Sequence, residues 1–362
     1  MNILQVNKLY HPVIGGIETV AKNIAELLNN SNEYIVDVLA CQIKGHRATE
    51  TINDVKVFRA ASFGKKMGMP ISLDFFSLFF KIFRQYDKII LHYPFPLAAF
   101  IAPFIPSNRL LIYYHSDIIR QKIGSSIISP FVKYSLKRAD KILVGSHNLI
   151  ESSPYLKPLK NKCIVVPFGL DINFNDNDNS QAEKIKKAYQ NKKILLAVGR
   201  LVYYKGFQYA VEAMKSIDAQ LLIIGSGPNE EKLKKLIAKF NLEDKISILP
   251  PQPSLAPYFL ACDLFLFPSV ERSEAFGLVQ LEAMAAGKPV INTYLHTGVE
   301  EVSINNKTGI TVPPRDVKAL SAAIKTLLSN PELITKYASQ ARERYQQNYT
   351  LNKFKDRIIK IL

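Results

Sequence analysis

Short apolar runs alternate with amphipathic segments along most of the chain. Strands are predicted at residues 3–6, 34–40, 87–92, 110–115 and 141–146. Residues 17–28 carry apolar side chains at helical spacing, which predicts a helix directly after the first strand. Because strands and helices alternate, the first half is predicted to form a parallel α/β sheet.

The same plan recurs in the second half. Strands are predicted over 194–198, 221–224, 246–249, 264–267 and 290–292, with a helix over 230–240. Residues 165–171 are predicted to end the first series, and the Asn/Asp-rich stretch 173–180 is predicted to be a loop. The resulting domains are an N-terminal domain over 1–170, a C-terminal domain over 171–345 and a terminal helix over 346–362 that packs back on the first domain.

Composition and charge narrow the class of protein. The chain has 362 residues and a net charge of +16, and residues 1–168 hold 21 Lys/Arg against 11 Asp/Glu. Such a surface attracts nucleic acid, anionic lipid or anionic small molecules. No nucleic-acid-binding motif is present, so nucleic acid is not an expected partner. Three scattered cysteines and the lack of a signal-peptide pattern predict a cytoplasmic protein.

Two glycine-containing segments follow predicted strands. At Gly15-Gly16, backbone N–H groups could approach a phosphate at the start of a helix, with a tight turn as the alternative. On the loop 199–206, Arg200 and Lys205 can both reach one diphosphate, with a solvated basic loop as the alternative. The three-glycine dinucleotide fingerprint is absent, which counts against an NAD enzyme.

Two carboxylates flank the start of a later predicted helix. Glu274 precedes this helix and Glu282 lies inside it. The rise per residue of a helix predicts that the two carboxylates are about 10 Å apart. That separation suits two ends of a nucleotide sugar, with sugar hydroxyls at Glu274 and ribose hydroxyls at Glu282. The amides of Phe276, Gly277 and Leu278 are predicted to open the helix and bind phosphate oxygens. An exposed helix with scattered acids is the alternative.

These motifs together resemble the retaining glycosyltransferases of family four, which have the GT-B fold. The resemblance implies an α/β protein with two Rossmann-like parallel-sheet domains facing a central cleft. The matching segments, in the family's order, are Gly15-Gly16-Ile17-Glu18, His115, residues 167–171, residues 199–206, Pro268-Ser269, Glu274, Glu282 and residues 309–316.

The resemblance also implies roles for individual residues. In the family, the loop cations hold the diphosphate, which points to Arg200 and Lys205. The first glutamate contacts the donor sugar and the second binds ribose, here Glu274 and Glu282. The histidine after the strand lies at the reacting sugar, here His115, for which a purely structural histidine is the alternative. Preplaced cations and amides would stabilise the leaving diphosphate.

The donor and acceptor are only indicated by resemblance. Ile291-Asn292-Thr293 resembles bacterial surface-polysaccharide mannosyl- and rhamnosyltransferases, which favours GDP-mannose as donor and a glycan or lipid-linked glycan as acceptor. Glu300 stands where relatives commonly have proline, so the shape of that loop and the choice of sugar do not carry over. A sugar-nucleotide epimerase of the same fold and an inactive polyanion- or membrane-binding protein remain alternatives.

No metal and no cofactor are expected. Asp176-Asn177-Asp178 resembles the metal-binding carboxylates of a different transferase fold, but these residues lie in the predicted loop.

Residues 109–141 are predicted to bind an anionic membrane surface peripherally. The segment contains seven cations, namely Arg109, Arg120, Lys122, Lys133, Lys137, Arg138 and Lys141. Apolar residues alternate with them: Ile118, Ile119, Ile123, Ile127, Ile128, Phe131, Val132, Tyr134 and Leu136. Each cation near an anionic leaflet adds about 1 kcal/mol to the free energy of membrane binding. The alternative is that the apolar residues are all core, and Pro130 is expected to interrupt the segment.

Overall fold

A computed structural model describes residues 1–13, 15–31, 33–66, 69–117 and 122–362, except for the side chains of 122–127. The chain divides into two compact units, each described by itself. Unit 1 comprises Met1–Phe168 and Leu351–Leu362, and unit 2 comprises Gly169–Thr350.

Unit 1 contains ten of the described strands and five helices before the chain enters unit 2. The strands are β1 (Asn2–Val6), β2 (Ile35–Cys41), β3 (Ala48–Ile52), β4 (Val55–Ala60), β5 (Lys65–Lys66), β6 (Met69–Pro70), β7 (Lys88–Tyr93), β8 (Leu110–Tyr114), β9 (Lys141–Val144) and β10 (Cys163–Val165). The helices are α1 (Gly16–Asn29), α2 (Asp74–Ile82), α3 (Pro96–Ile101), α4 (Lys122–Arg138) and α5 (His147–Ser152). Short 3₁₀ helices span Phe83–Gln85, Ala102–Phe104, Ser107–Arg109 and Lys157–Lys162.

The main sheet of unit 1 has eight strands in the order β10-β9-β8-β7-β1-β2-β4-β3. Every neighbouring pair is parallel except β3 with β4, while β5 and β6 form a separate antiparallel pair. The predicted parallel sheet is present, and β3 is an antiparallel edge strand that the apolar pattern did not predict. This edge strand has no fully buried position, so its sequence lacks the apolar run that marks the central strands.

Unit 2 repeats the α/β arrangement with a six-stranded parallel sheet in the order β13-β12-β11-β14-β15-β16. Its strands are β11 (Ile194–Val198), β12 (Gln220–Ile224), β13 (Ile246–Leu249), β14 (Leu264–Phe267), β15 (Val290–Thr293) and β16 (Gly309–Val312). Its helices are α6 (Asp176–Ala188), α7 (Phe207–Ala213), α8 (Glu230–Lys239), α9 (Ala256–Ala261), α10 (Val279–Ala285), α11 (Val299–Val302), α12 (Val317–Leu328) and α13 (Pro331–Asn348). Short 3₁₀ helices span Tyr203–Lys205 and Met214–Ser216.

Helix α6 overturns the predicted loop over 173–180. The Asn175 side chain accepts a hydrogen bond from the Asp178 N–H at 2.9 Å, and the Asp178 carboxylate accepts one from the Asn175 N–H at 3.0 Å. This reciprocal capping box begins a helix inside a polar stretch that lacks apolar periodicity. Unit 2 begins at Gly169, and β10, the last strand before it, ends at Val165.

The chain ends with α14 (Leu351–Ile359), which belongs to unit 1. Phe354 and Ile358 are buried, and the Lys141 ammonium donates to the Ile361 carbonyl at 2.7 Å. The helix predicted over 346–362 is in fact two elements, because α13 continues to Asn348 before α14 begins.

Helix α4 carries the predicted membrane-binding segment. It is continuous from Lys122 to Arg138 with Pro130 inside, so the predicted interruption is wrong. Val132 and Leu136 are buried, and this packing offsets the backbone hydrogen bond that proline cannot donate. Ile118, Ile119 and Arg120 lie outside the described residues, as do the side chains of Lys122, Ile123 and Ile127. No helix in the described ranges is long and apolar enough to cross a membrane.

Candidate active site

Adjacent strands of unit 1 bring three polar side chains to one face of the sheet. The neighbours β1, β7 and β8 pair so that Gln5 lies opposite Ile90 and His92 lies opposite Tyr113. Side chains two residues apart on a strand share a face, so Gln5, His92 and His115 lie on the same side. His115 directly follows β8, and its N–H donates to the Tyr93 carbonyl at 2.9 Å.

The His115 ring lies in a buried aromatic stack. Its centroid is 4.7 Å from Tyr113, 5.2 Å from His92 and 5.5 Å from Phe168, with the rings nearly parallel. Burial lowers the pKa of His92 to about 3, and burial, followed by the influence of His92 and Lys8, lowers the pKa of His115 well below its ordinary value. Both imidazoles are therefore neutral at physiological pH.

Sequence reasoning selected His115 but missed Gln5 and His92. His92 Nδ1 lies 2.9 Å from His115 Nε2, and His92 Nε2 lies 2.7 Å from Gln5 Oε1. The available signal was the presence of polar residues in or beside otherwise apolar strands, but pairing them requires the strand order.

Gly15 and Gly16 form the start of α1. Gly15 is the N-cap residue in an extended conformation. A Cβ atom at Gly15 would lie 2.2 Å from Glu18 Oε2, so a larger residue there would displace this buried carboxylate. Lys8 is the ion-pair partner of Glu18, at 3.8 Å. The glycine therefore has a packing role, and its predicted phosphate contact stays a prediction.

The loop 199–206 follows β11 in unit 2. At Gly206 the backbone has a φ of +71°, and a Cβ atom there would lie 1.8 Å from the Pro268 carbonyl oxygen. This close approach anchors the end of the loop. Arg200 is exposed, and its side chain makes no hydrogen bond or ion pair with any part of the chain that the structure describes.

Lys205 forms an ion pair with Glu274. The Lys205 Nζ to Glu274 Oε2 distance is 2.6 Å, and the two side chains are 14% and 12% exposed. Glu274 also accepts from the Ser269 hydroxyl at 3.3 Å, while the ammonium lies 5.0 Å from the Phe267 ring centroid. The two residues were predicted to bind different ends of a ligand, and in this structure they contact each other. A partly buried pair of this kind leaves charged groups poorly hydrated and available to a polar ligand.

The segment after Glu274 is shaped by Gly277. Its φ of +77° favours glycine, and a Cβ atom would lie 2.7 Å from the Phe267 ring. The sequence analysis predicted that Phe276 and Gly277 open this helix. Helix α10 begins only at Val279, so both residues precede it. Inside the described ranges, the N–H groups of Gly277 and Leu278 donate no hydrogen bond.

A buried network of hydrogen bonds holds the backbone at Phe276, next to Gly277. Gln280 donates to the Phe276 carbonyl at 3.1 Å, and Asn292 donates to Gln280 Oε1 at 3.1 Å and to the Val299 carbonyl at 3.0 Å. The Thr311 hydroxyl donates to Asn292 Oδ1 at 2.7 Å. Asn292, whose neighbourhood suggested a mannose donor, is thus a scaffold residue that is 1% exposed.

Glu282, the second predicted carboxylate, lies on α10. No hydrogen bond or ion pair to its side chain occurs in the described portion of the chain. Burial raises its pKa to about 7. An unpaired carboxyl group that titrates near neutral pH is a functional-site candidate.

Glu300 lies in the loop that departs from the family pattern, and its carboxylate contacts the backbone of that loop. Its Oε2 accepts from the Leu295 N–H at 3.4 Å, and burial raises its pKa while backbone N–H groups of the loop lower it. The Thr297 hydroxyl donates to the Glu274 carbonyl at 2.9 Å. The Glu300 carboxylate therefore contacts the backbone of its own loop.

The described residues contain no group of three or more His, Cys, Asp or Glu placed to hold a metal ion. Asp178, part of the weakly metal-like Asp176–Asp178 stretch, has its carboxylate in the capping box of α6.

Two family models match the chain in succession. The model described as Glycosyltransferase Family 4 covers residues 14–174, and the model described as Glycosyl transferases group 1 covers residues 178–344. The chain belongs to the family-four glycosyltransferases. As a member of this family it is a retaining glycosyltransferase that moves a sugar from a nucleotide-sugar donor. The epimerase and non-enzymatic alternatives are therefore set aside.

Similar proteins extend this assignment over the whole chain. The O-antigen chain mannosyltransferase C of Escherichia coli is 27% identical over 365 residues, covering 100% of this chain and 98% of that protein. The D-rhamnosyltransferase WbpZ of Pseudomonas aeruginosa is 29% identical over 365 residues, covering 97% and 92%.

A solved structure supports the fold of the glycosyltransferase. Anabaena HepE in complex with UDP superimposes with a TM-score of 0.81 at 18% identity, covering 100% of this chain and 99% of HepE. The predicted α/β class, with two Rossmann-like parallel-sheet domains and the GT-B fold, is confirmed.

Proposed function

We propose that this glycosyltransferase transfers mannose from GDP-mannose to a glycan or lipid-linked glycan in the synthesis of a cell-surface polysaccharide, at the cytoplasmic side of the membrane. The two relatives aligned over nearly the full chain support this choice, since one is named a mannosyltransferase of O-antigen and the other a D-rhamnosyltransferase. The observation that supports a nucleotide-sugar site is the Lys205–Glu274 ion pair, because it places a shielded cation and a carboxylate side by side.

In this proposal the cations bind the diphosphate. Arg200 supplies an exposed guanidinium with no other partner among the described residues, and Lys205 supplies an ammonium held by Glu274. Departure of the nucleoside diphosphate builds negative charge on its oxygens, which preplaced cations stabilise. The N–H groups of Gly277 and Leu278, which directly follow Phe276, donate hydrogen bonds to the same diphosphate oxygens.

The remaining residues bind the two ends of the donor. Glu282 accepts hydrogen bonds from the ribose hydroxyls, and Glu274 accepts from the donor sugar as well as from Lys205. His115 contacts the reacting sugar, and the Gly15-Gly16 turn approaches a phosphate. The acceptor proton passes to a phosphate oxygen of the leaving group, so no separate nucleophilic carboxylate is required.

A panel of nucleotide sugars tests the donor. A ligand that binds only the folded protein raises its melting temperature, so GDP-mannose should give the largest shift among GDP-, UDP- and dTDP-sugars. Release of GDP should then require an acceptor glycan. A shift with UDP-sugars alone would assign the nucleotide seen bound to HepE and would refute the GDP-mannose proposal.

The N-terminal unit supplies a candidate membrane-binding surface. On α4, Phe131 and Tyr134 are 40% and 48% exposed and alternate with exposed Lys133 and Lys137. Arg138 is engaged, since it donates to the Ile105 carbonyl at 2.7 Å. We therefore restrict the electrostatic contact to the two lysines in this part of the helix.

Vesicle co-sedimentation tests this surface. Binding to anionic vesicles should fall when Lys133 and Lys137 are both changed to glutamate, because each cation contributes about 1 kcal/mol. The same changes at Lys232 and Lys235, two exposed lysines of α8, are the matched control and should leave binding intact. Equal binding to neutral and anionic vesicles at low salt would refute the electrostatic contact.

A further inference from the structure

Three buried polar side chains in unit 1 form a hydrogen-bonded chain that ends at His115. Gln5, His92 and His115 are 0%, 1% and 5% exposed. The linking distances are 2.7 Å between Gln5 Oε1 and His92 Nε2, and 2.9 Å between His92 Nδ1 and His115 Nε2. Because buried polar atoms are nearly always paired, each donor must face an acceptor along this chain.

The Gln5 amide determines the direction of the chain. Its Nε2 donates to the Ala21 carbonyl of α1 at 3.0 Å. The opposite amide orientation would set two oxygen acceptors against each other, so Oε1 faces His92. An amide oxygen can only accept, and therefore His92 carries its hydrogen on Nε2.

The tautomer of His115 follows from that of His92. A neutral imidazole has one N–H and one lone pair, so His92 accepts through Nδ1. His115 must then donate through Nε2, and its lone pair resides on Nδ1. Across the described residues, no hydrogen bond to Nδ1 is formed. The aromatic stack with Tyr113 and Phe168 holds the ring plane.

The neighbouring charges do not alter this assignment. Lys8 is the cation that acts on His115, and it lies 3.8 Å from the buried Glu18 carboxylate. A protonated His92 would set its Nδ1–H against the Nε2–H of His115, and a protonated His115 would carry a charge in a buried site. The uncharged forms are therefore the ones that satisfy the chain.

We propose that Gln5 and His92 are positioning residues that hold His115 as the neutral Nε2–H tautomer and leave Nδ1 as a hydrogen-bond acceptor for a hydroxyl of the donor sugar. The inference rests on the proposed role of His115 at the reacting sugar. It specifies the chemistry of the substrate group, since a lone pair on Nδ1 recognises a hydroxyl and not an oxyanion. It also ties the recognition to α1, because Gln5 bonds to the backbone of that helix.

The tautomers can be read without any substrate. In the full-length protein with ¹⁵N-labelled histidine, two-bond ¹H–¹⁵N correlations distinguish the tautomers, and single His→Asn variants assign the signals. We expect Nε2–H forms for His92 and His115, unchanged from about pH 6 to about pH 8. An Nδ1–H form, or titration of either ring in that range, would overturn the assignment. This readout is independent of which nucleotide sugar is the donor.

Matched substitutions at His92 test the positioning role. His92→Leu removes the acceptor for His115 Nε2–H and should lower kcat by about tenfold, the effect of one lost hydrogen bond. His92→Asn places an amide oxygen near the former Nδ1 position and should restore turnover to within about threefold. Both variants should bind the nucleoside diphosphate normally, because the side chains proposed to bind it lie in unit 2. Equal loss in both variants would refute the role.

Gln5 provides the second pair. Gln5→Leu removes the acceptor for His92 Nε2–H, whereas Gln5→Glu, kept protonated by burial, retains an oxygen that accepts it and donates its O–H to the Ala21 carbonyl. The leucine variant should show a mixture of His92 tautomers and reduced kcat, and the glutamate variant should keep the Nε2–H form. Retention of the single tautomer in Gln5→Leu would show that the chain does not begin at Gln5.

Discussion

The two units place polar groups at their candidate sites in different electrostatic states. In unit 1 the Gln5–His92–His115 chain is buried and carries no charge. In unit 2 Lys205 and Glu274 form a partly buried ion pair, and Arg200 is exposed without a partner among the described residues. Both arrangements follow carboxyl ends of parallel strands, where α/β proteins bind ligands.

The difference indicates that the candidate sites of the two units have different roles in ligand binding and reaction. Charged groups attract a charged ligand and stabilise charge that develops during reaction. A neutral hydrogen-bonding chain can instead select a hydroxyl and fix its orientation. We therefore expect substitutions of the unit 2 cations to act mainly on nucleotide affinity, and substitutions in the histidine chain to act on turnover.

The largest effect is expected from the cations. Arg200→Ala and Lys205→Ala should each weaken binding of the nucleoside diphosphate by about 10–150-fold, because each removes a charge-assisted contact worth about 1.5–3 kcal/mol. Calorimetry with the free nucleoside diphosphate measures the loss. Lys234→Ala, which removes an exposed lysine paired with Glu230, is the control and should be neutral. Unchanged affinity in both test variants would contradict the assignment.

The two glutamates should separate binding from turnover within unit 2. Glu274→Ala should lower kcat by more than about tenfold and affect nucleotide affinity less, since it contacts the sugar and orients Lys205. Glu282→Ala should show the reverse, since it contacts ribose. Steady-state kinetics with varied donor distinguish the two, and an exchanged pattern would mean that the roles are reversed.

A smaller effect concerns pH. With a pKa of about 7, Glu282 is mostly protonated at pH 6 and mostly ionised at pH 8. If the carboxylate accepts from ribose hydroxyls, nucleotide affinity should rise about tenfold over that range. Glu282→Gln should remove this dependence while retaining the part due to phosphate titration. An identical pH profile in both proteins would exclude Glu282 from the nucleotide site.

The same shift makes a prediction for stability. The folded pKa of Glu282 lies above its ordinary value, so the folded state binds more protons than the unfolded state between about pH 4.5 and pH 7. The free energy of unfolding therefore falls as pH rises through this window. The melting temperature of Glu282→Gln should fall less than that of the wild type, as measured by calorimetry.

The smallest expected effect is that of chelation. Turnover should be unchanged in EDTA, because Arg200, Lys205 and backbone N–H groups meet the phosphate charge in the proposed mechanism. Complete loss of activity that magnesium or manganese restores would show that a divalent ion shares this task.

Much of the fold was predictable from apolar patterns. The strands at 194–198 and 264–267 were located with correct ends, because buried strands in parallel sheets are continuous apolar runs. The failures have a common cause, namely contacts outside the local pattern. Helix α6 begins through a capping box, edge strand β3 is held by pairing with β4, and Pro130 is tolerated because α4 packs on the core.

The candidate site was predictable where a motif lies within one segment. Arg200, Lys205, Glu274 and Glu282 stand in such segments. The contact between Lys205 and Glu274 and the chain from Gln5 to His115 could not be predicted, because both join residues that only the sheet order brings together.

The return of the chain to unit 1 has a consequence for biosynthesis. Phe354 of α14 is fully buried in unit 1, yet the ribosome makes it only after the whole of unit 2. The first 168 residues must therefore wait for the last elements before their core is covered. Loss of Leu351–Leu362 would damage unit 1, which carries His115, and leave the residues of unit 2 in place. In the nascent chain, unit 1 is begun first but can be completed only after unit 2 has been synthesised.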